Sequence, residues 1–176
     1  MNLGSLTHSS VGGGECAPTY FNDEQTGITS LYFCRDMGGL GDFDIYVSTL
    51  RLDGLFGRPA LVWEVDSPFR DTRTAIRRDG LEMFITSNRP GGLGANDVWV
   101  STRETTLDAW STPVNLGPPI NTAAAEGGPA LSCDGTTMYF FSERPGGFGG
   151  RDLYVTTRTE LCNDENNGNN QRCKEN

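Results

Sequence analysis

Two series of carboxylates recur at matched places in this sequence, and they are the side chains best placed to do chemistry. Asp44, Asp97 and Asp152 each follow a glycine-rich loop, and Glu15, Asp71 and Glu126 each stand three residues before Pro18, Thr74 and Pro129. Carboxylates gathered at one place bind a cation, pair with arginine, or take raised pKa values. An aspartate beside a glycine loop has a plainer use, accepting hydrogen bonds from loop N–H groups. Asp44, Asp97 and Asp152 recur at the same place in every copy, so they are expected to brace the loop. Arg89 and Arg144 join them, bonded to loop carbonyls or to a neighbouring unit. Glu15, Asp71 and Glu126, with Arg73 beside them, are the candidate binding residues. In the alternative, Arg73 and Arg77 neutralise part of that charge and no cation is needed.

Other catalytic arrangements are scarce. His8 is the only histidine, so a His-based triad or a multi-His zinc site within one chain is hard to build. The stretch 12–16 (GGGEC) lacks the Lys and Ser/Thr of a phosphate loop. Cys16 would need a histidine partner for thiol catalysis, and His8 is a remote one. Residues 132–135 (SCDG) are similar to the aspartate box of sialidases and fit a plain hairpin turn equally. Residues 163–168 (NDENNG) are rich in oxygen but lack the alternating aspartates and terminal Glu of a calcium loop. Paired carboxylates can serve glycoside hydrolysis, yet no Asp or Glu singles itself out by breaking the repeat.

The elements that must position these residues are written three times. Residues 34–50 (CRDMGGLGDFDIYVSTL), 87–103 (SNRPGGLGANDVWVSTR) and 142–158 (SERPGGFGGRDLYVTTR) start 53 and 55 residues apart, and the last two agree at 10 of 17 positions. Self-similarity at one period means one unit stacked on copies of itself. In the third unit, 127–132 reads as a strand and Asp134-Gly135 as a hairpin turn. Residues 138–141 (MYFF) read as a strand covered on both faces, and 152–157 (DLYVTT) as a third strand after the glycine loop. The second unit adds a fourth strand at 112–116 after the packing residue Trp110, and the first adds one at 59–64 after Phe56. Each unit is thus four short antiparallel strands, and nothing follows a helical period. Four-stranded sheets at this spacing are the blades of a β-propeller. The expected fold is all-β, with blades at about 15–64, 71–117 and 126–158, followed by a polar acidic tail at 159–176.

The run from Trp110 to Arg158, with PVNLGPPINT, EGGPALSCDGTTMYFFSERPGG and GRDLYVTTR, resembles the WD40-like β-propeller repeat found in TolB-type six-bladed propellers. The first unit departs from it, with Met37 where the loop has Pro. The resemblance implies a non-enzymatic docking module for a protein, peptide or glycan at a propeller face or channel mouth, in a periplasmic or extracellular setting. The alternatives are a channel-sited hydrolase or lyase, or a piece of a longer propeller. In such a ring the first strand of each blade lines the channel, so Glu15, Asp71 and Glu126 would gather at one mouth. No cofactor is implied, and a divalent cation in the channel is the alternative.

The third unit has no fourth strand after Arg158, yet Asn2-Leu3-Gly4 repeats Asn115-Leu116-Gly117. Three blades cannot close a ring, whereas two copies give six. The expectation is a homodimer in which residues 1–4 of each chain complete the third blade of the other, closing after two head-to-tail contacts.

Charge narrows the partners. With 14 basic and 23 acidic residues the net charge is −9, so phosphate neutralisation cannot drive nucleic-acid binding. The cluster Arg70, Arg73, Arg77, Arg78 reads as solvated or acid-paired. No run of about 18 apolar residues exists to span a membrane. The chain opens with neither the charged nor the apolar region of an export signal. Of five cysteines, Cys162 and Cys173 flank the tail loop and are the disulfide candidates. Cys34 reads as a buried inert thiol, and Cys16 and Cys133 as paired or free.

Overall fold

A computed structural model describes residues 14–36 and 39–159 of the chain. The expected strand at 1–4, His8, Met37, and the tail with Cys162 and Cys173 lie outside the described residues. Three antiparallel sheets follow one another along the chain. The first holds β1 (Glu15–Asn22), β2 (Thr29–Arg35), β3 (Asp44–Thr49) and β4 (Ala60–Leu61). The second holds β5 (Asp71–Ile76), β6 (Glu82–Ser87), β7 (Asp97–Thr102) and β8 (Val114–Asn115). The third holds β9 (Glu126–Leu131), β10 (Thr137–Ser142) and β11 (Asp152–Thr157). Among the described residues, then, the blades have four, four and three strands.

Successive blades stack face to face. Between blades 1 and 2, Tyr32, Cys34, Ile45, Val62 and Val65 pack against Met83, Ile85 and Trp99. Between blades 2 and 3, Ala75, Phe84 and Val98 pack against Met138 and Phe140. A middle strand such as β6 is buried on both faces because each face meets a different neighbouring blade. Truncating Ile85 to Ala, fully buried at the first of these junctions, would cost roughly 2–5 kcal/mol. The expectation that 138–141 is covered on both faces does not hold for Tyr139, which is half exposed. Its face of blade 3 has no described blade against it.

The first strands run side by side. Thr19 Oγ1 donates to the Thr74 carbonyl at 2.6 Å, and Thr74 Oγ1 to Thr19 Oγ1 at 2.9 Å. Each first strand carries a bulge two residues after its acid, with Ala17, Arg73 and Gly128 at φ of 47°, 52° and 64°. The acids open these strands rather than preceding them. The reason is a backbone bond across the junction: Asp71 N–H donates to the Phe43 carbonyl and Glu126 N–H to the Asn96 carbonyl, both at 2.8 Å. The fourth strands are shorter than expected, and after β8 the chain turns away at Gly117 with φ 64°.

Cys34 is not a free thiol. The register of β1 and β2 sets it opposite Cys16 with Cα atoms 5.0 Å apart, and the two form a disulfide. The pairing depends on a bulge between Cys16 and Thr19, which spacing in the sequence does not reveal. Among the described residues, Cys133 is exposed and free.

Candidate functional site

At the junction of blades 1 and 2, the sequence brings three carboxylates together. Asp44 starts β3, Asp71 starts β5, and Asp66 sits on the connection from β4 to β5. One oxygen from each lies within 4.8 Å of the others. Asp44 and Asp71 are fully buried and Asp66 is partly so.

Each carboxylate has a distinct setting. Asp44 Oδ1 accepts the N–H groups of Leu40 and Gly41 at 3.1 Å. Burial, together with the charges of Asp71 and Asp42, pushes its carboxyl above the usual range against those bonds. Asp71 accepts Ser67 N–H and Oγ–H at 2.7 Å and the Arg89 guanidinium at 2.6 Å. Asp66 Oδ1 accepts the Ile45 N–H at 2.7 Å, while its Oδ2 is buried without a partner. Burial, reinforced by Asp71 and Asp44, pushes Asp66 up to about 8. A carboxyl in that state holds its proton at neutral pH and can donate it.

The same junction recurs between blades 2 and 3 with other side chains at the same places. Glu126 takes the place of Asp71 and accepts Thr122 N–H at 2.8 Å, Thr122 Oγ1–H at 2.7 Å and Ser142 Oγ–H at 2.6 Å. Arg144 takes the place of Arg89. Arg89 donates to the Val65 carbonyl at 2.5 Å, and Arg144 to the Ile120 carbonyl at 2.6 Å. Asn121 stands where blade 1 has Asp66. Asp66 is therefore an acid that breaks the repeat. Sequence reasoning found no such residue, because the connections at 62–70 and 116–125 share almost no residues. Their hydrogen bonds align them, as does their place five residues before Asp71 and Glu126.

The other expected residues are placed as follows. Asp97 accepts the Leu93 N–H at 2.5 Å and Asn115 Nδ2–H at 3.1 Å, and Asp152 accepts the Gly149 N–H at 3.2 Å. A side chain at Gly92 would run into the Asp97 carboxylate, so that turn needs glycine for close approach. Glu15 pairs with Arg35 at 3.4 Å. The structure thus sets Asp71 beside Asp44, while Glu15 pairs with Arg35 within blade 1 and Glu126 lies at the junction of blades 2 and 3. Arg73 is exposed, its guanidinium 5.4 Å from the Phe141 ring centre. Arg77 pairs with Asp79 and Glu82. A three-carboxylate donor set suits a hard cation, but Arg89 already supplies positive charge at the cluster. Exposed Trp63 and Phe69 lie on the same connection as Asp66.

Blades stacked about a common row of first strands define a β-propeller, and solved structures agree. A thermostable family-43 glycoside hydrolase matches at TM-score 0.56 and 18% identity, over 85% of this chain and 56% of that one. The endo-arabinase of Bacteroides thetaiotaomicron VPI-5482 matches at TM-score 0.59 and 18% identity, over 88% of this chain and 59% of that one. The chain therefore spans less than two thirds of either protein. No family model and no curated protein matches the sequence. Family-43 glycoside hydrolases are five-bladed propellers, so the likeness supports a β-propeller and not the six-bladed WD40-like or TolB-type assignment. It also overturns the expectation of a non-enzymatic docking module. Both solved structures are of glycoside hydrolases.

Proposed function

We propose that the chain forms three blades of a propeller that hydrolyses glycosidic bonds, with Asp66 as proton donor to the leaving oxygen. The observation that carries this reading is the cluster of Asp66 with two further carboxylates, within which burial pushes the Asp66 carboxyl up to about 8. Glycoside hydrolysis needs one carboxyl that holds its proton and another that meets the developing positive charge. Asp44 and Asp71, both fully buried in the chain alone, are the two carboxylates clustered with Asp66. Each places one carboxylate oxygen within 4.8 Å of one on Asp66. Exposed Trp63 and Phe69 offer flat apolar surface for a sugar ring. The finer assignment, a WD40-like repeat of TolB type, rests on the motif residues alone. The Cys16–Cys34 disulfide supports an oxidising, periplasmic or extracellular setting.

The test is turnover of arabinan and of chromogenic glycosides by the wild-type chain and by Asp66→Asn. Asparagine already serves at this place in blade 2, so the variant keeps its fold. A loss of at least about 100-fold is expected for removal of a general acid. Equal activity in the two proteins, or no turnover by the wild type, would refute the reading.

A further inference from the structure

Blade 3 is open in three respects that the first two blades are not. The first is its outer face. Tyr32 and Ile45 in blade 1, and Phe84 and Val98 in blade 2, are buried because each pair packs on the next blade. Strand register makes Tyr139 and Leu153 their counterparts. These are 52% and 84% exposed, and Val155 beside them is 58% exposed.

The second is a strand edge. β4 pairs with β3 through Tyr46 and Leu61, and β8 with β7 through Trp99 and Asn115. No described strand pairs with the outer edge of β11. In blade 2, Asn115 Nδ2 donates to Asp97 and the Leu116 N–H to the Val98 carbonyl at 3.2 Å. Nothing described makes these bonds to Asp152 and Leu153.

The third is a loop contact. Gly41 and Gly94 press so closely on the connection entering the next blade that a Cβ would run into the Phe69 and Ala124 carbonyls. Gly149 has no such neighbour.

The geometry points to a second copy of this chain as the occupant of all three. Asn2-Leu3-Gly4 repeats Asn115-Leu116-Gly117, the segment that closes blade 2. Gly117 stands 9 residues before Glu126, and Gly4 stands 11 residues before Glu15. The Asn-Leu-Gly segment is therefore spaced to close the blade that precedes β1 in the ring. No described blade precedes β1, and blade 3 is the one that lacks a closing strand. Around a two-copy ring, blade 3 of one chain is the neighbour that precedes blade 1 of the other. In such a ring the open edge of β11 and the face of Tyr139 and Val155 both meet the second copy, at the end where its Asn-Leu-Gly segment precedes β1. Such a ring has six blades, one more than the family-43 enzymes and within the range of about four to eight known for propellers. It also removes an exposed strand edge, a standing hazard for aggregation.

Light scattering on the full chain tests this. The expected mass is twice the 19.1 kDa of one chain. Leu153→Asp and Leu3→Asp should each reduce it to one chain with the circular dichroism unchanged, since Leu153 is exposed in the chain alone. Mixing the two variants should restore a dimer, because one of its two junctions then carries both wild-type leucines. A wild type that stays at 19.1 kDa at every concentration, as it would if further blades of a longer chain were the true occupant, overturns the proposal. So does a dimer whose mass neither variant changes.

Discussion

Asp66 and Asn121 hold the same place one blade apart. Asp66 Oδ1 accepts the Ile45 N–H at 2.7 Å, and Asn121 Oδ1 accepts the Val98 N–H at 2.8 Å. The Asn121 amide also donates, to the Val98 carbonyl at 2.8 Å and to Asn115 Oδ1 at 2.9 Å. A charged carboxylate has nothing to donate from that side. A protonated one does, and burial, which pushes the Asp66 carboxyl up to about 8, favours that form.

Stability should fall as pH rises through the window this shift defines. The unfolded chain releases the Asp66 proton near pH 4, whereas the folded chain keeps it to about 8. Between those values the unfolded state binds fewer protons, so rising pH favours unfolding. Below the lower value both states are protonated and the contribution is constant. Asp66→Asn should abolish this slope and raise stability at pH 8 by on the order of a few kcal/mol. Urea unfolding of both proteins at pH 5 and pH 8 measures it, and parallel pH profiles would refute it.

Arg89 is the cation that makes buried Asp71 tolerable. Its guanidinium spans Asp71, Ser87 Oγ and the Val65 carbonyl, joining blade 1 to blade 2. Arg89→Met should destabilise by roughly 3–5 kcal/mol, since it strands a buried charge. Adding Asp71→Asn should recover part of that loss. A denaturation cycle on the two single variants and the double variant reads the coupling.

Reduction should loosen blade 1. The Cys16–Cys34 bridge closes a loop of 18 residues, worth about 3 kcal/mol on the chain-entropy account. A non-reduced digest should yield the linked peptides, and thermal melts with and without dithiothreitol should differ accordingly. Exposed Cys133 should alkylate in the native protein without affecting the melt.

Glycines of the repeated loop should differ in their tolerance of a side chain. Gly94→Ala drives a methyl into the Ala124 carbonyl and should cost roughly 1–3 kcal/mol. Gly149→Ala meets only the Asp152 carboxylate, 3.9 Å away, and should leave the folding of the chain itself within about 0.5 kcal/mol. Equal losses at the two positions would contradict the account of the junction.

Much of this was legible in the residues. The thrice-written segment fixed the strand order, because glycine loops and alternating apolar runs act locally and need no partner to declare themselves. Asp44, Asp97 and Asp152 were visible for the same reason, each lying at a set distance after its loop. The tertiary structure decided what depends on register and on neighbouring blades. It set Cys16 against Cys34 through a bulge, turned Asp71 and Glu126 into the junctions, and left Tyr139 uncovered. It also found Asp66, whose bond from the Ile45 N–H equates it with Asn121. Local sequence specifies a blade, but a carboxyl's protonation and a face's exposure are set by what packs against them, and that is decided between blades.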